Sequence, residues 1–411
     1  MAKVRKDGRG RVLHKGESYL RSKSLYCFSY TDSFGNRRFI YANDLEQLRE
    51  KETRFIRDRI DGMDTYLAAK ASINYVFDRY MSTKTDLRGK TKAGYLYTYD
   101  RYVRNGFGKR RIGDVRYSDV LQFYLDLISN ELGISTIEHI NSLLRSAFKV
   151  AIRDNVIRSN PTDDVMHEVK RMVKEKPAKR ALTIEEQRAF INYLNKPEYI
   201  RWKPLFTVMF GTGCRIGELI GLRWSDLDFE SSMISINHSI VYYSNYGKSE
   251  GRKCRYEVGL PKTEAGIRMI PMLNEVREAF LQEKRNQEES GCLSIVEIGG
   301  MSGFIFCNRF GNIHNQAALN HEIKHLVDNY NAEEMVKARH EGRKPLMLPR
   351  FSCHTTRHTF CTRLCENETN IKVIQSVMGH KNIQTTLDIY ADVSERKKEE
   401  IFRNLNYGNI F

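Results

Sequence analysis

No stretch of this sequence holds the ~18 consecutive apolar residues that a membrane-spanning helix needs, so no membrane partner is expected. The N-terminus, MAKVRKDGRGRVLHKGE, is charged but carries no apolar segment, so no secretory leader is expected. The expected location is the bacterial cytoplasm, in association with the nucleoid. The eight cysteines, at 27, 214, 254, 292, 307, 353, 361 and 365, form no CxxC pair. In a large, unsecreted chain that argues against a disulfide framework. No internal repeat and no low-complexity tract occurs. The convergent carboxylates of a metal-dependent nuclease or transposase are missing as well. Asp226, Asp228 and Glu230 are close in sequence, but they read as turn chemistry after a helix.

Negative charge is in short supply. The chain has 51 acidic residues against 67 Lys and Arg, for a formal net charge of +16. Such a balance points to a polyanionic partner, nucleic acid before an anionic membrane, with solubility alone as the plainer reading. Apolar and aromatic residues make up 41% of 411 residues, enough for two or three domains with real cores. One metal-like cluster exists: Cys353, His354, His358, Cys361 and Cys365. Helical spacing places four of them along one face, whereas structural zinc sites favour ligand pairs set across a turn, and cysteine is often a small buried residue. No metal is expected.

Three zones follow one another. Residues 1–75 open with ten basic residues among the first forty, against three acids. Leu25 to Tyr30 and Arg37 to Tyr41 read as strands around a turn, and Asn43 or Asp44 as the cap of a helix through Leu45, Leu48, Phe55 and Ile56. Aromatics alternate with the charges, so Arg9, Arg11, Arg37 and Arg38 are candidate DNA contacts on a folded basic face. A solvated basic tail is the alternative.

Residues 76–173 read as all-helical. Ser135-Thr-Ile-Glu138 has the form of a capping box. Ile137, Ile140, Leu144, Ala147, Phe148 and Ala151 form an apolar stripe behind it. Arg145, Lys149 and Arg153 recur every four residues on another face, which suits phosphate contacts and equally an ordinary solvated face. Asn160-Pro161 ends this module, and Glu168 to Arg180 reads as a linker. Thr183-Ile-Glu-Glu186, a second capping box, opens the third zone, 174–411.

Four short segments of that zone suit a phosphate. In TGCRIGEL, Arg215 stands at a helix start, where backbone N–H groups favour an anion, and Glu218 can hold its guanidinium. An Arg–Glu pair so spaced is also a common surface ion pair. Lys262 lies between the strand-like runs Tyr256–Leu260 and Ile267–Pro271, at the tip or shoulder of a hairpin, although an exposed loop lysine looks the same. His354 and Arg357 share a helix face. Gly379 stops a helix, His380 follows, and Tyr390 lies ten residues further on. Alone, Tyr390 is a packing tyrosine and His380 a cap.

Together the set has a mechanism. Two arginines can hold the non-bridging oxygens of a phosphodiester under attack. A tyrosine hydroxyl, with a pKa near ~10, needs a base, and histidine is the natural one. A lysine can protonate the departing oxygen. No metal or other cofactor is required.

The order TGCRIGELIGLRWSDL, PKTEAGIRMIPM, HTTRHTFCTRL and VMGHKNIQTTLDIYADV resembles the catalytic domain of the tyrosine recombinase, or phage-type integrase, family over residues 181–395. The resemblance implies that Arg215 and Arg357 bind phosphate, with Glu218 supporting the first. Lys262 would be the general acid, His354 the candidate base and His380 a phosphate hydrogen-bond donor. Tyr390 would form a 3′-phosphotyrosyl link. It further implies a multidomain α+β fold: a small basic β-sheet/helix domain, an all-α core-binding domain, and a mainly α catalytic domain with a small antiparallel sheet. The last two would clamp double-stranded DNA. The N-terminal zone is most similar to the arm-binding domain of conjugative-transposon integrases. Expected partners are core and arm-type attachment sites, a homotetramer on DNA and an excisionase.

Two departures stand out. A tyrosine-rich, basic segment, Ile240 to Tyr256, reads as an extended hairpin touching DNA or a neighbouring subunit. A second insert, Glu283 to Arg350, has no functional account. The tail Arg396–Phe411 suits packing on its own domain or on the next protomer. Rival readings are a type IB topoisomerase, an Xer-type resolvase and a non-catalytic DNA-binding regulator.

Overall fold

The computed structural model describes residues 5–31, 35, 37–173, 180–245, 253–259 and 266–394. The chain divides into two compact units, Met1–Glu175 and Lys176–Phe411, each with its own cores.

The first unit begins with an antiparallel sheet in the order β1 (Glu17–Leu20), β2 (Leu25–Thr31) and β3 (Arg37–Ala42). The sequence left β1 unread, because Glu17-Ser-Tyr-Leu is too short to show a period. α1 (Leu45–Ile60) follows, its first turn capped by the Asp44 carboxylate, which accepts from the Glu46 N–H at 2.9 Å. Leu45, Leu48 and Phe55 pack on Tyr26, Phe28 and Ala42. Ile56, expected in that stripe, is 43% exposed instead.

Among the described residues of this unit, six further α-helices follow: α2 (Thr65–Lys70), α3 (Ile73–Ser82), α4 (Gly89–Tyr102), α5 (Tyr117–Ser129), α6 (Ile134–Arg153) and α7 (Val165–Met172). Every member of the apolar stripe of α6 is buried, as its period predicts. Its capping box is not used. The helix starts two residues earlier, after Gly133, because Ile134 then packs on the core. Nor does Asn160-Pro161 end the module. Val165 and Val169 of α7 are fully buried in the same core, so the expected linker begins as a helix. Residues 174–179 lie outside the described set.

In the second unit, α8 (Ile184–Tyr193) opens with the expected box: Thr183 Oγ1 accepts from the Glu186 N–H and Glu186 Oε2 from the Thr183 N–H. α9 (Lys203–Thr212) and α10 (Ile216–Gly221) follow. A sheet in the order β4 (Leu227–Asp228), β5 (Met233–Ile236), β8 (Arg268–Pro271) stands apart from a two-stranded ribbon of β6 (Ser239–Asn245) and β7 (Lys253–Gly259). Hence the runs flanking Lys262 do not form one hairpin. β7 pairs with β6 and β8 with β5, so the connection joins two sheets. The extended hairpin expected from Ile240 onward is this ribbon, and its tip lies outside the described residues.

α11 (Asn274–Ser290) and α12 (Gln316–Glu341) lead to α13 (Cys353–Asn367), α14 (Ile371–Met378) and α15, residues 384–394. The segment read as an insert after Glu283 is core. Phe304, Phe306, Leu319, Ile323 and Leu326 pack with Phe190, Phe206 and Phe280 in the main cluster. Among the described residues, no helix is long and apolar enough to cross a membrane.

Candidate active site

Two glycines set the site's frame. Gly213 ends α9 and Gly379 ends α14, both with left-handed φ, +58° and +61°. Each turn releases the chain abruptly, toward Arg215 in one case and His380 in the other. A Cβ on Gly213 would lie 2.3 Å from the Phe360 ring of α13, so α9 and α13 approach as closely as they do because no side chain stands there.

Arg215 precedes α10. Its Nη1 donates to Glu218 Oε1 at 2.8 Å and its Nη2 to the Gly379 carbonyl at 2.7 Å, and its side chain is 44% exposed. Glu218 is buried. Burial alone would raise its carboxyl, but the Arg268 guanidinium, aided by Arg215, holds it below the usual carboxylate range.

Arg357 is 4% exposed on α13. Its Nη1 donates to the Gly213 carbonyl at 2.7 Å and its Nη2 to the Met378 carbonyl at 2.6 Å. Burial, with the charge of Arg215 behind it, lowers its pKa to about 10. His354, one turn ahead of Arg357, is exposed.

His380 is 9% exposed, and its Nδ1 lies 3.0 Å from Thr386 Oγ1 on α15. Burial, followed by the charges of Arg357, Arg215, Arg268 and His354, lowers its pKa to about 4, so it is neutral near pH 7. Tyr390 lies one turn beyond Thr386. Its half-buried ring packs on the cluster of Cys361, Cys365, Ile374, Met378 and Val393. Of the three cysteines in the metal-like group, Cys361 and Cys365 belong to this apolar cluster and Cys353 to the main core.

The structure thus brings together Arg215, Glu218, Arg357 and His380, with His354 close enough to act on the His380 charge. Tyr390 packs on the same two helices, α13 and α14. Lys262 lies outside the described residues. Sequence reasoning missed Arg268, which donates to Glu218 at 2.8 Å and to the Val377 carbonyl at 2.7 Å. A signal existed: Arg268 alternates with Met269 and so faces inward with Ile270.

Arg37 and Arg38 fall on opposite faces of the N-terminal sheet. Arg37 shares the outer face with exposed Phe39 and Tyr41 and lies over the Phe39 ring at 5.6 Å, whereas Arg38 sits opposite Tyr30 on the helix-covered face. Arg11 is committed to Asp7, Asp44 and Tyr26, while Arg9 is exposed. On α6, Arg145, Lys149 and Arg153 are all exposed, and Arg145 pairs with Asp163 at 3.0 Å.

Comparison with known proteins follows the same division. Residues 180–397 match the phage integrase family, and residues 1–59 match the DNA binding domain of Tn916 integrase. The chain is 30% identical over 406 residues, 95% of its length and 94% of the relative's, to the transposase from transposon Tn916 of Enterococcus faecalis. It is 26% identical over 318 residues to a XerC-like tyrosine recombinase of Caldanaerobacter subterraneus, covering 75% of each. Among solved structures, a Tn1549 transposon integrase in complex with a circular intermediate DNA superposes with a TM-score of 0.67 at 28% identity, over 80% of this chain and 99% of that one. The fold also resembles lambda integrase in a tetramer bound to a Holliday junction, with a TM-score of 0.51 at 16% identity, over 91% and 95% of the two chains. The chain belongs to the phage integrase family of tyrosine recombinases.

Proposed function

We propose that this chain is a site-specific recombinase that breaks and rejoins double-stranded DNA through a 3′-phosphotyrosyl link to Tyr390, integrating and excising a mobile element of the conjugative-transposon kind. The observation that carries the mechanism is the convergence of Arg215, Arg357 and His380 around one helix end, backed by buried Glu218. Guanidinium forks suit the two non-bridging oxygens of the attacked phosphate and the charge that grows on them. If the Thr386 hydroxyl donates to His380 Nδ1, the remaining ring proton sits on Nε2, available to a phosphate oxygen. His354, exposed beside Arg357, is the candidate base for Tyr390. Lys262 is the candidate acid for the leaving 5′-oxygen.

Similarity to the Tn916 transposase along nearly the whole chain, N-terminal domain included, supports the conjugative-element reading over a simple resolvase. In this reading residues 1–75 hold arm-type sites, residues 76–173 and 174–411 grip the core site, and the working form is a homotetramer on DNA. An excisionase is a candidate partner for the reverse reaction. Arg9, Arg37, Lys149 and Arg153 are the exposed candidates for DNA contact.

The deciding experiment uses a nicked suicide duplex carrying the attachment site. Wild type yields a denaturant-stable protein–DNA adduct, and Tyr390→Phe yields none while still binding. An adduct that survives Tyr390→Phe would falsify the assignment.

A further inference from the structure

β8 carries a charged side chain where its pattern calls for an apolar one. Arg268 and Ile270 point inward, Met269 and Pro271 outward, and the Arg268 side chain is only 4% exposed. A guanidinium taken that far out of water persists only where its donors are filled. Nη2 donates to Glu218 Oε2 at 2.8 Å, Nη1 to Glu218 Oε1 and to the Gly266 carbonyl at 3.3 Å each, and Nε to the Val377 carbonyl at 2.7 Å. One planar fork therefore joins the turn that presents Arg215, the strand itself, and the last turn before His380.

The partner helix end has its own pattern. Val377, Met378 and Gly379 offer three consecutive carbonyls, and each accepts from a different arginine: Arg268, Arg357 and Arg215. Val377 and Met378, successive helical residues, point their carbonyls about 100° apart, and left-handed Gly379 turns its own out of the helical series. Three guanidiniums spaced around one end therefore fix its rotation as well as its position. Arg215 and Arg357 must share their N–H groups with a bound phosphate. Arg268, buried and already bonded at all three nitrogens, does not.

We propose that Arg268 is a positioning residue for strand cleavage, holding Glu218 and the end of α14 in place so that Arg215, Arg357 and His380 meet the phosphate as a preset group. The inference rests on the recombinase reading of this site. Arg268 acts through its neighbours and touches no DNA. A lysine does not replace it, because one ammonium cannot serve Val377 and both Glu218 oxygens in a single plane.

The test uses the full-length chain and the nicked suicide duplex. Arg268→Lys is compared with wild type for thermal unfolding, for duplex affinity, and for the rate of adduct formation at saturating DNA. Affinity is expected to stay within about threefold and the adduct rate to fall about 10- to 100-fold, the range for a small misplacement of catalytic groups. A wild-type rate overturns the proposal. So does a slowing matched by equal loss of affinity or of folded protein, which marks a merely structural residue. Should Arg268→Lys fail to fold, Arg268→Gln takes its place with the same expectations. Arg268→Gln adds a spectroscopic reading, since removing its charge raises the His380 midpoint in an NMR titration, with Arg357, Arg215 and His354 still facing the ring. An unmoved midpoint counts against the coupling. Absence of adduct in wild type would remove the recombinase reading and this inference with it, whereas equal rates in wild type and variant remove this inference alone.

Discussion

Arg357 donates to the carbonyl of Gly213 at 2.7 Å, and Phe360, one turn further along α13, fills the space a Gly213 side chain would take. A buried cation and a left-handed glycine thus fasten α13 to the end of α9.

Gly213→Ala should therefore act twice. A left-handed conformation costs an alanine about 1–2 kcal/mol, and the clash with Phe360 adds about 1–3 kcal/mol of overpacking. The urea midpoint should fall, and the adduct rate with it, since Arg357 moves with α13. A variant of wild-type stability and rate would mean that this contact is not tight in solution.

His380 ties stability to pH. Folded, it stays neutral down to about pH 4, while in the unfolded chain it takes up a proton near its ordinary value of 6.5. Its contribution is complete above pH 6.5 and is lost as pH falls toward 4. Burial shifts His314 the same way, also to about 4, so the two histidines act in one window. His380→Gln should flatten the decline in urea midpoint between pH 6.5 and 4, by an amount up to roughly 3 kcal/mol at the acid end. An identical decline in wild type and variant would contradict the shift.

The two faces of the N-terminal sheet should separate Arg37 from Arg38. Arg37→Ala removes a cation from the outer face beside Phe39 and Tyr41. It should weaken arm-site binding and lower the salt slope by about one. Arg38→Ala, on the helix-covered face, should change binding less. Titrations at several salt concentrations decide, and the reverse order would reject the outer face as the reading face.

Lys262→Ala tests the leaving-group assignment. Its adduct rate should fall on an ordinary duplex and recover on one with a 5′-bridging sulfur, because a thiolate departs without a proton. Equal slowing on both substrates would assign Lys262 another role.

Much of the site was legible because its chemistry is carried by short contiguous motifs. Glycine before arginine, histidine three before arginine, and glycine-histidine ahead of tyrosine are each ambiguous alone, and their order along the chain gives them meaning. What escaped depends on long-range pairing. Arg268 acquires its role only when β8 stands beside the turn of Glu218 and the end of α14, fifty residues back and 109 on. The sheet pairing around Lys262 was misread because adjacent strands in sequence suggest a hairpin, whereas β5 comes back to claim β8. The stretch after Glu283 looked like an insert because its apolar residues are scattered through loops, as at Phe304 and Phe306, before α12 begins. The Ser135 box failed because burying Ile134 outweighs a side-chain cap.

The hydrogen bond between His380 and Thr386 has a consequence for the nucleophile. Thr386 and Tyr390 occupy successive turns of α15, so imidazole and phenol hang from one short rod. If α15 swings far enough to carry the phenol out of line, Thr386 leaves the imidazole too, and the ring loses the contact that orients it. Any displacement of α15 would therefore disturb the phenol and the imidazole together.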